Sequence, residues 1–184
     1  MKEQKIFLVL LLSLLLSNVF IIYSQDMVKL YNDKKGSTIT YYMSHPLHDW
    51  SGVSKNVTCI LVTDANKENF SQVAVSVKVS TFDSDNSNRD SHMMEATEAI
   101  KFPTVTFQST SIKKDGNKLY ITGKLTFHGV TKTISFDATM SRNGDKLIFK
   151  GDLQTKMSYH KIDSPSLMGM DTKDDIKLVF NIEF

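Results

Sequence analysis

From Val73 onward the chain places its β-branched and aromatic residues at every second position, which is the period of a strand and not of a helix. Val73, Val75, Val77 and Val79 alternate with Ala74, Ser76, Lys78 and Ser80. The pattern returns at Leu119, Ile121, Gly123, Leu125 and Phe127, and again at Ile134, Phe136, Ala138 and Met140. It closes the chain at Ile176, Leu178, Phe180, Ile182 and Phe184. Shorter runs lie at Thr38 to Met43, Val57 to Val62, Val105 to Ser109 and Leu147 to Leu153. A sheet with one apolar face has to bury it against a second layer or by closing on itself.

Turn chemistry separates the runs. Asp115-Gly116 and Asn143-Gly144 are pairs that accept the positive φ of tight hairpins, and His128-Gly129 is a third reversal. The later part of the chain therefore reads as an antiparallel meander. Ser87 to Lys101 lacks the period of two; there Asp90 is expected to cap a short helix with Met93, Met94, Thr97 and Ile100 on one face. Alternation alone allows either a sandwich or a barrel. Strand length and meander order favour the barrel, which removes exposed edges. The expected fold is all-β, an antiparallel eight-stranded barrel with one short helix.

The N-terminus sets the compartment. Lys2 and Lys5 precede an apolar run from Ile6 to Leu16 broken only by Ser13, and Ser24 stands before Gln25. This is the order of a secretory signal peptide, cut after Ser24, which leaves 25–184 as a single domain. The alternative is an anchor, because Ile6 to Tyr23 approaches the ~18 residues of a spanning helix. Ser17 and Asn18 interrupt that stretch and no basic cluster follows it. The expected product is exported, with no membrane span after cleavage. Removing two lysines and one glutamate lowers the formal charge from +2 to +1, which gives no electrostatic argument for nucleic acid or an anionic membrane. Cys59 is the single cysteine, so no internal disulfide forms. Its flanks read as a strand with the thiol as a small core hydrophobe.

Three linked segments carry a resemblance. Arg89-Asp90-Ser91-His92 follows a polar loop that begins at Ser80; Phe102-Pro103-Thr104-Val105-Thr106-Phe107 comes next; Gly123-Lys124-Leu125-Thr126-Phe127-His128-Gly129-Val130-Thr131 completes the set. In content and order they resemble the YceI-like family of exported bacterial proteins, over roughly Ser37 to Phe184. The resemblance implies a lipocalin-like barrel whose apolar tunnel holds a long isoprenoid or fatty-acyl molecule, typically in the periplasm. A quinone is one such molecule, and a homodimer is compatible with the reading. Two segments depart from the pattern: Met93 to Ala99 replaces the usual Leu-Arg-Ser-x-Asp-Phe-Phe, and His45 to Gly52 is rich in histidine. Both bear on the ligand and not on the fold.

A tunnel for a long chain wants adaptable and aromatic side chains. The candidates for tunnel or lid are Met43, Met93, Met94, Met157, Met168 and Met170. With them go Trp50, Phe82, Ile100, Phe102, Phe107, Phe127 and Leu167. Any one of these can equally fill an ordinary core. Arg89, Asp90, His92 and His128 are expected to organise loops, Arg89 through a backbone carbonyl or through Asp83 or Asp85. A metal site drawn from His45, His48, His92 and His128 is the sharpest rival. Against it, strand geometry turns residues three apart to opposite faces, so His45 and His48 would diverge. No metal and no cofactor is assigned. Catalysis finds no Gly-x-Ser-x-Gly elbow and no His-Glu-x-x-His. The expected function is lipid binding without transformation. The rivals are metal or haem handling through the histidines, and an interaction protein whose barrel is filled by its own side chains.

Overall fold

The structure, a computed structural model, describes residues 26–184. The signal-peptide reading of positions 1–24 lies outside the described residues. The strands are β1 (Met27–Tyr31), β2 (Thr38–His45), β3 (His48–Ser54), β4 (Val57–Asp64) and β5 (Phe70–Lys78). After helix α1 (Ser87–Ala96) come β6 (Thr104–Asp115), β7 (Lys118–Phe127), β8 (Val130–Asn143) and β9 (Lys146–Lys156). A small ladder of β10 (Ser166–Leu167) and β11 (Met170–Asp171) precedes β12 (Asp175–Glu183). One antiparallel sheet runs β1-β4-β5-β6-β7-β8-β9-β12-β2-β3.

The main sheet thus has ten strands where the sequence reading expects eight. The two additions are β1 and β3. In β1 only Leu30 is partly buried, so no apolar face alternates with a polar one. β3 is polar for half its length and contains Gly52. Neither carries the apolar period from which strands are legible. The expected turns do form: Gly116 and Gly144 adopt φ of +57° and +58° between β6 and β7 and between β8 and β9.

The sheet curls until β4, next to one edge, packs through side chains against β12 and β2, near the other. Val57 and Cys59 of β4 pack with Ile182 of β12 and Ile39 of β2. A strap of polar groups crosses the seam. The Asn32 amide donates to the Val57 carbonyl at 3.2 Å and its oxygen accepts from the Cys59 N–H at 2.7 Å, as a neighbouring strand would. Asp33 N–H donates to the Glu183 carbonyl at 2.7 Å, and the Ser37 hydroxyl accepts from Glu183 N–H at 3.1 Å. Backbone groups that no ladder serves are satisfied in this way. On the other side Val53 and Asp83 exchange backbone bonds of 2.8 and 3.0 Å. At the end remote from the helix, Glu68 accepts from Lys114 at 2.8 Å and Arg142 at 2.9 Å, tying three turns together.

Cys59 sits within this closure, 1% exposed, and burial pushes its thiol up to about 12. Only the thiolate attacks, so native protein is expected to resist a charged thiol reagent and to label at the rate at which it opens. Timing the labelling against unfolding checks this. A complete reaction within seconds in native buffer contradicts it.

Candidate functional site: an apolar cavity under a helix

The alternating strands turn one face inward, and the inward faces do not fill the space. A cavity of about 840 Å³ remains, walled by residues such as Val75, Phe107, Ile121, Phe136 and Leu178. Its covered end is made by connections that the antiparallel order gathers on one side: α1 between β5 and β6, and the segment between β9 and β12. From α1 and its cap the residues Asn86, Arg89, His92, Met93 and Ala96 line the cavity. No residue of α1 is fully buried. The helix is a cover and not a core element.

The helix begins one turn earlier than its sequence suggests. Asn86 caps it, its side chain accepting from the Arg89 N–H at 3.0 Å. Asp90 lies inside the first turn, and its Oδ2 accepts from the Ser84 N–H at 3.3 Å. Arg89 donates to the Ser84 carbonyl at 3.4 Å and stands 5.9 Å over the Trp50 ring. Its partner is therefore a carbonyl and an aromatic face, and no ion pair to Asp83 or Asp85 forms. His92 is exposed, 3.8 Å from Glu95.

The candidates divide by position. Met43, Trp50, Phe82 and Met93 line the covered end, and Phe107, Phe127, Met157 and Leu167 line the wall or the adjoining loop. Met94, Ile100, Phe102, Met168 and Met170 are not among the lining residues. Ile100 is 97% exposed, because α1 stops at Ala96 and Glu98 turns the chain off at φ +44°, which takes Ile100 away from the Met93 face. Met168, at φ +54° on the tip of the β10–β11 hairpin, is 83% exposed. Phe102 packs on the β7–β8 turn instead, its ring 4.5 Å from that of His128. A Cβ on Gly129 would come 2.6 Å from the Phe102 ring, so this turn needs glycine twice over, for space and for φ +70°. Two segments that carry the family resemblance thus meet in space. Tyr41 lines the cavity too and was not a candidate, although Ile39, Tyr41 and Met43 alternate on one face of β2.

His128 takes φ +50° in the turn, and its ring holds it there: Nδ1 bonds the His160 carbonyl at 2.9 Å and Nε2 meets Glu98 Oε1 at 3.3 Å. His45 and His48 overturn the expectation that they diverge. They are not three apart on one strand but direct cross-strand partners about a two-residue turn, with rings 5.8 Å apart. The Leu47 N–H donates to His45 Nδ1 at 3.2 Å, so Nε2 carries the proton and donates to the Met170 carbonyl at 3.0 Å. Both nitrogens are engaged, which ties the β2–β3 turn to the β10–β11 hairpin and leaves no lone pair for a metal.

His160, which carried no signal in the sequence, is fully buried. Its Nδ1–H donates to the Val130 carbonyl at 3.2 Å, so Nε2 accepts from the Thr155 hydroxyl at 2.9 Å. Burial holds this imidazole below the ordinary value of 6.5. Above that value both folded and unfolded chains keep it neutral. As the pH falls below it, the unfolded chain takes up a proton that the native site resists, so stability falls. Denaturant titrations between about pH 7 and pH 5 are expected to show a slope that His160→Gln lacks. Equal slopes would remove His160 as the responsible group.

Comparison with known proteins places this architecture. The YceI-like domain model matches residues 31–184. Protein YceI of Salmonella newport (strain SL254) is 33% identical over 118 residues, 61% of this chain and 62% of that protein. The chain thus matches a little under two-thirds of the length of that curated relative. Among solved structures, BcnA of Burkholderia cenocepacia superposes with a TM-score of 0.74 at 22% identity, covering 83% of this chain and 99% of that one. The YceI protein of Campylobacter jejuni gives 0.63 at 29% identity, with coverages of 72% and 82%. A polyisoprenoid binding domain from Saccharophagus degradans, implicated in plant cell wall breakdown, gives 0.65 at 11% identity, with coverages of 86% and 98%. The first and third of these likenesses speak for the fold alone. With the domain match running from residue 31 to residue 184 of this curled sheet, the chain belongs to the YceI-like family.

Proposed function

We propose that this protein is an exported carrier that holds one long-chain lipid of isoprenoid or fatty-acyl type in its cavity and does not transform it. The apolar space of about 840 Å³ carries the reading, since a barrel filled by its own side chains would not leave it. That volume lies within the 300–1,000 Å³ typical of small-molecule sites. Each buried methylene contributes roughly 0.8 kcal/mol, so about twenty of them supply some 16 kcal/mol against an association cost of about 4–15. The fold shared with a polyisoprenoid binding domain supports the same ligand class. The polar groups that line the cavity gather at its covered end, in the manner of a site that orients one head group and buries a tail.

Native mass spectrometry of protein purified from its own host, followed by lipid extraction, tests the proposal. One lipid per chain is expected. Protein that never carries or takes up a lipid overturns it in favour of an interaction protein. Export is tested separately by N-terminal sequencing of fractionated cells, where a mature start at Gln25 is expected and an intact Met1 in washed membranes contradicts it.

A further inference from the structure

Exposed apolar side chains are ordinary when scattered singly and informative when they gather. Among the described residues eleven large hydrophobics are exposed, and six of them lie on segments at the end of the sheet that α1 covers. They are Leu47 in the β2–β3 turn, Met94 on α1, Ile100 between α1 and β6, and Tyr159, Leu167 and Met168 between β9 and β12. The other five lie along strands β1, β2 and β7. The turns at the opposite end, 65–69, 116–117 and 144–145, expose none and carry groups such as Lys67, Glu68 and Asp145 instead. The asymmetry follows the cavity.

The cavity opens where residues that line it are also exposed, as are His48 beside the β2–β3 turn, His92 and Glu95 on α1, and Ser166 and Leu167 in β10. Leu167 lines the cavity and is 50% exposed. Met168 follows it at the apex of the hairpin, and Leu47, 54% exposed, stands in the neighbouring turn. The two connections are held together: His45 Nε2 donates to the Met170 carbonyl at 3.0 Å, and the Lys173 N–H donates to the Ser44 carbonyl at 2.8 Å. An apolar path thus runs from the cavity wall through Leu167 to an exposed apex.

We infer that this end of the protein docks on a bilayer of zwitterionic phospholipid, with Leu47, Leu167 and Met168 entering the head-group layer, so that cargo passes between cavity and membrane without crossing water. This rests on the carrier reading above. A long apolar chain is costly to release into water, so the opening has to meet an apolar phase. Apolar side chains at the apices of two small connections suit insertion between head groups better than the broad, continuous face of a protein partner. Charge narrows the choice of membrane. The connections at this end (46–47, 79–103, 128–129 and 157–174) hold eight carboxylates against four Lys or Arg, and an anionic surface would repel them. The three inserted side chains offer about a dozen carbons, fewer than the single myristoyl chain that gives marginal, reversible binding. Docking is brief, as a carrier that has to leave requires.

Transfer of a fluorescent fatty acid from the loaded protein to phosphatidylcholine vesicles tests this. Docking makes the rate rise with vesicle concentration, whereas release into water makes it independent of vesicles. Leu47→Asp combined with Met168→Asp is expected to slow transfer about tenfold or more, because each places a charge against the membrane. Neither residue lines the cavity, so affinity for the probe should stay within about twofold of wild type. Aspartate tolerates the positive φ of position 168, and a thermal melt checks that the variant is folded. Tyr31→Asp, on exposed β1, should leave the rate unchanged. Replacing part of the phosphatidylcholine with phosphatidylglycerol should slow the wild type, and added salt should restore it. The dependence on vesicle concentration needs no variant, so it decides even if the double substitution unfolds the chain. A rate independent of vesicles, or equal rates for wild type and folded double variant, overturns the docking surface while the carrier reading stands. If the protein takes up no probe, the carrier reading fails; flotation of the unloaded protein with concentrated vesicles then decides the surface, and protein that stays at the bottom of the gradient overturns it as well.

Discussion

Met93→Asp is expected to weaken lipid binding by roughly ten- to a hundredfold, whereas Met94→Asp leaves it within about twofold. The two residues are neighbours on α1, but a helix turns successive side chains by 100°. Met93 is half-buried, lines the cavity and packs in the cluster of Tyr41, Phe82 and Met157. Met94 is 36% exposed and does not line it. A carboxylate at position 93 would face hydrocarbon with no partner. Keeping it neutral at pH 7 costs about 1.4 kcal/mol per unit of pKa shift, so roughly 4 kcal/mol at most. The loss of affinity is smaller than that ceiling, because a helix without a fully buried residue can tilt the new charge toward water. Lipid displacement and thermal melts on the same preparations give the answer. Equal binding by the two folded variants would mean that α1 does not cover the ligand.

The pair also shows how far sequence reasoning reached. Periodicity in β5, β7, β8 and β12 gave the antiparallel meander, because each of these strands keeps one face apolar and the other polar. It failed for β1 and β3, which are exposed or polar for most of their length and hold their places by pairing with β4 and β2. Inside the helical segment composition identified methionines but not their direction. Direction depended on where the helix starts and stops, and that was decided by Asn86 and by the left-handed Glu98 rather than by the apolar residues. Moving the cap from Asp90 to Asn86 makes Met93 a cavity residue and sends Ile100 into solvent. The histidines failed for a related reason. The rule that residues three apart diverge holds within one strand, and Pro46-Leu47 puts His45 and His48 on two. His160 had no local signal at all, since what distinguishes it is burial beside groups distant in sequence, whereas Tyr41 stood within the alternation of Ile39 and Met43 on β2.

Leu147→Ala is expected to lower the stability of the ligand-free protein by about 3 kcal/mol, within the 2–5 that such truncations cost in a tight core. Leu147 is completely buried in the cluster with Leu119, Met140 and Phe149, and it does not line the cavity. Its truncation therefore opens a new void instead of widening the existing one. A domain of this kind has about 5–15 kcal/mol in total, so the loss is a large share. A bound lipid acts in the opposite direction, because it stabilises only the folded chain. At a free concentration one hundred times its Kd it adds about 2.7 kcal/mol, close to what the substitution removes. Denaturant titrations of wild type and Leu147→Ala, each with and without saturating lipid, are therefore expected to show lipid-loaded Leu147→Ala nearly as stable as empty wild type. Lipid should stabilise both proteins equally, since the altered residue lies outside the cavity wall. Rescue confined to wild type would show that the packed end and the cavity are one coupled structure, so that filling the cavity depends on how tightly the remote end is packed.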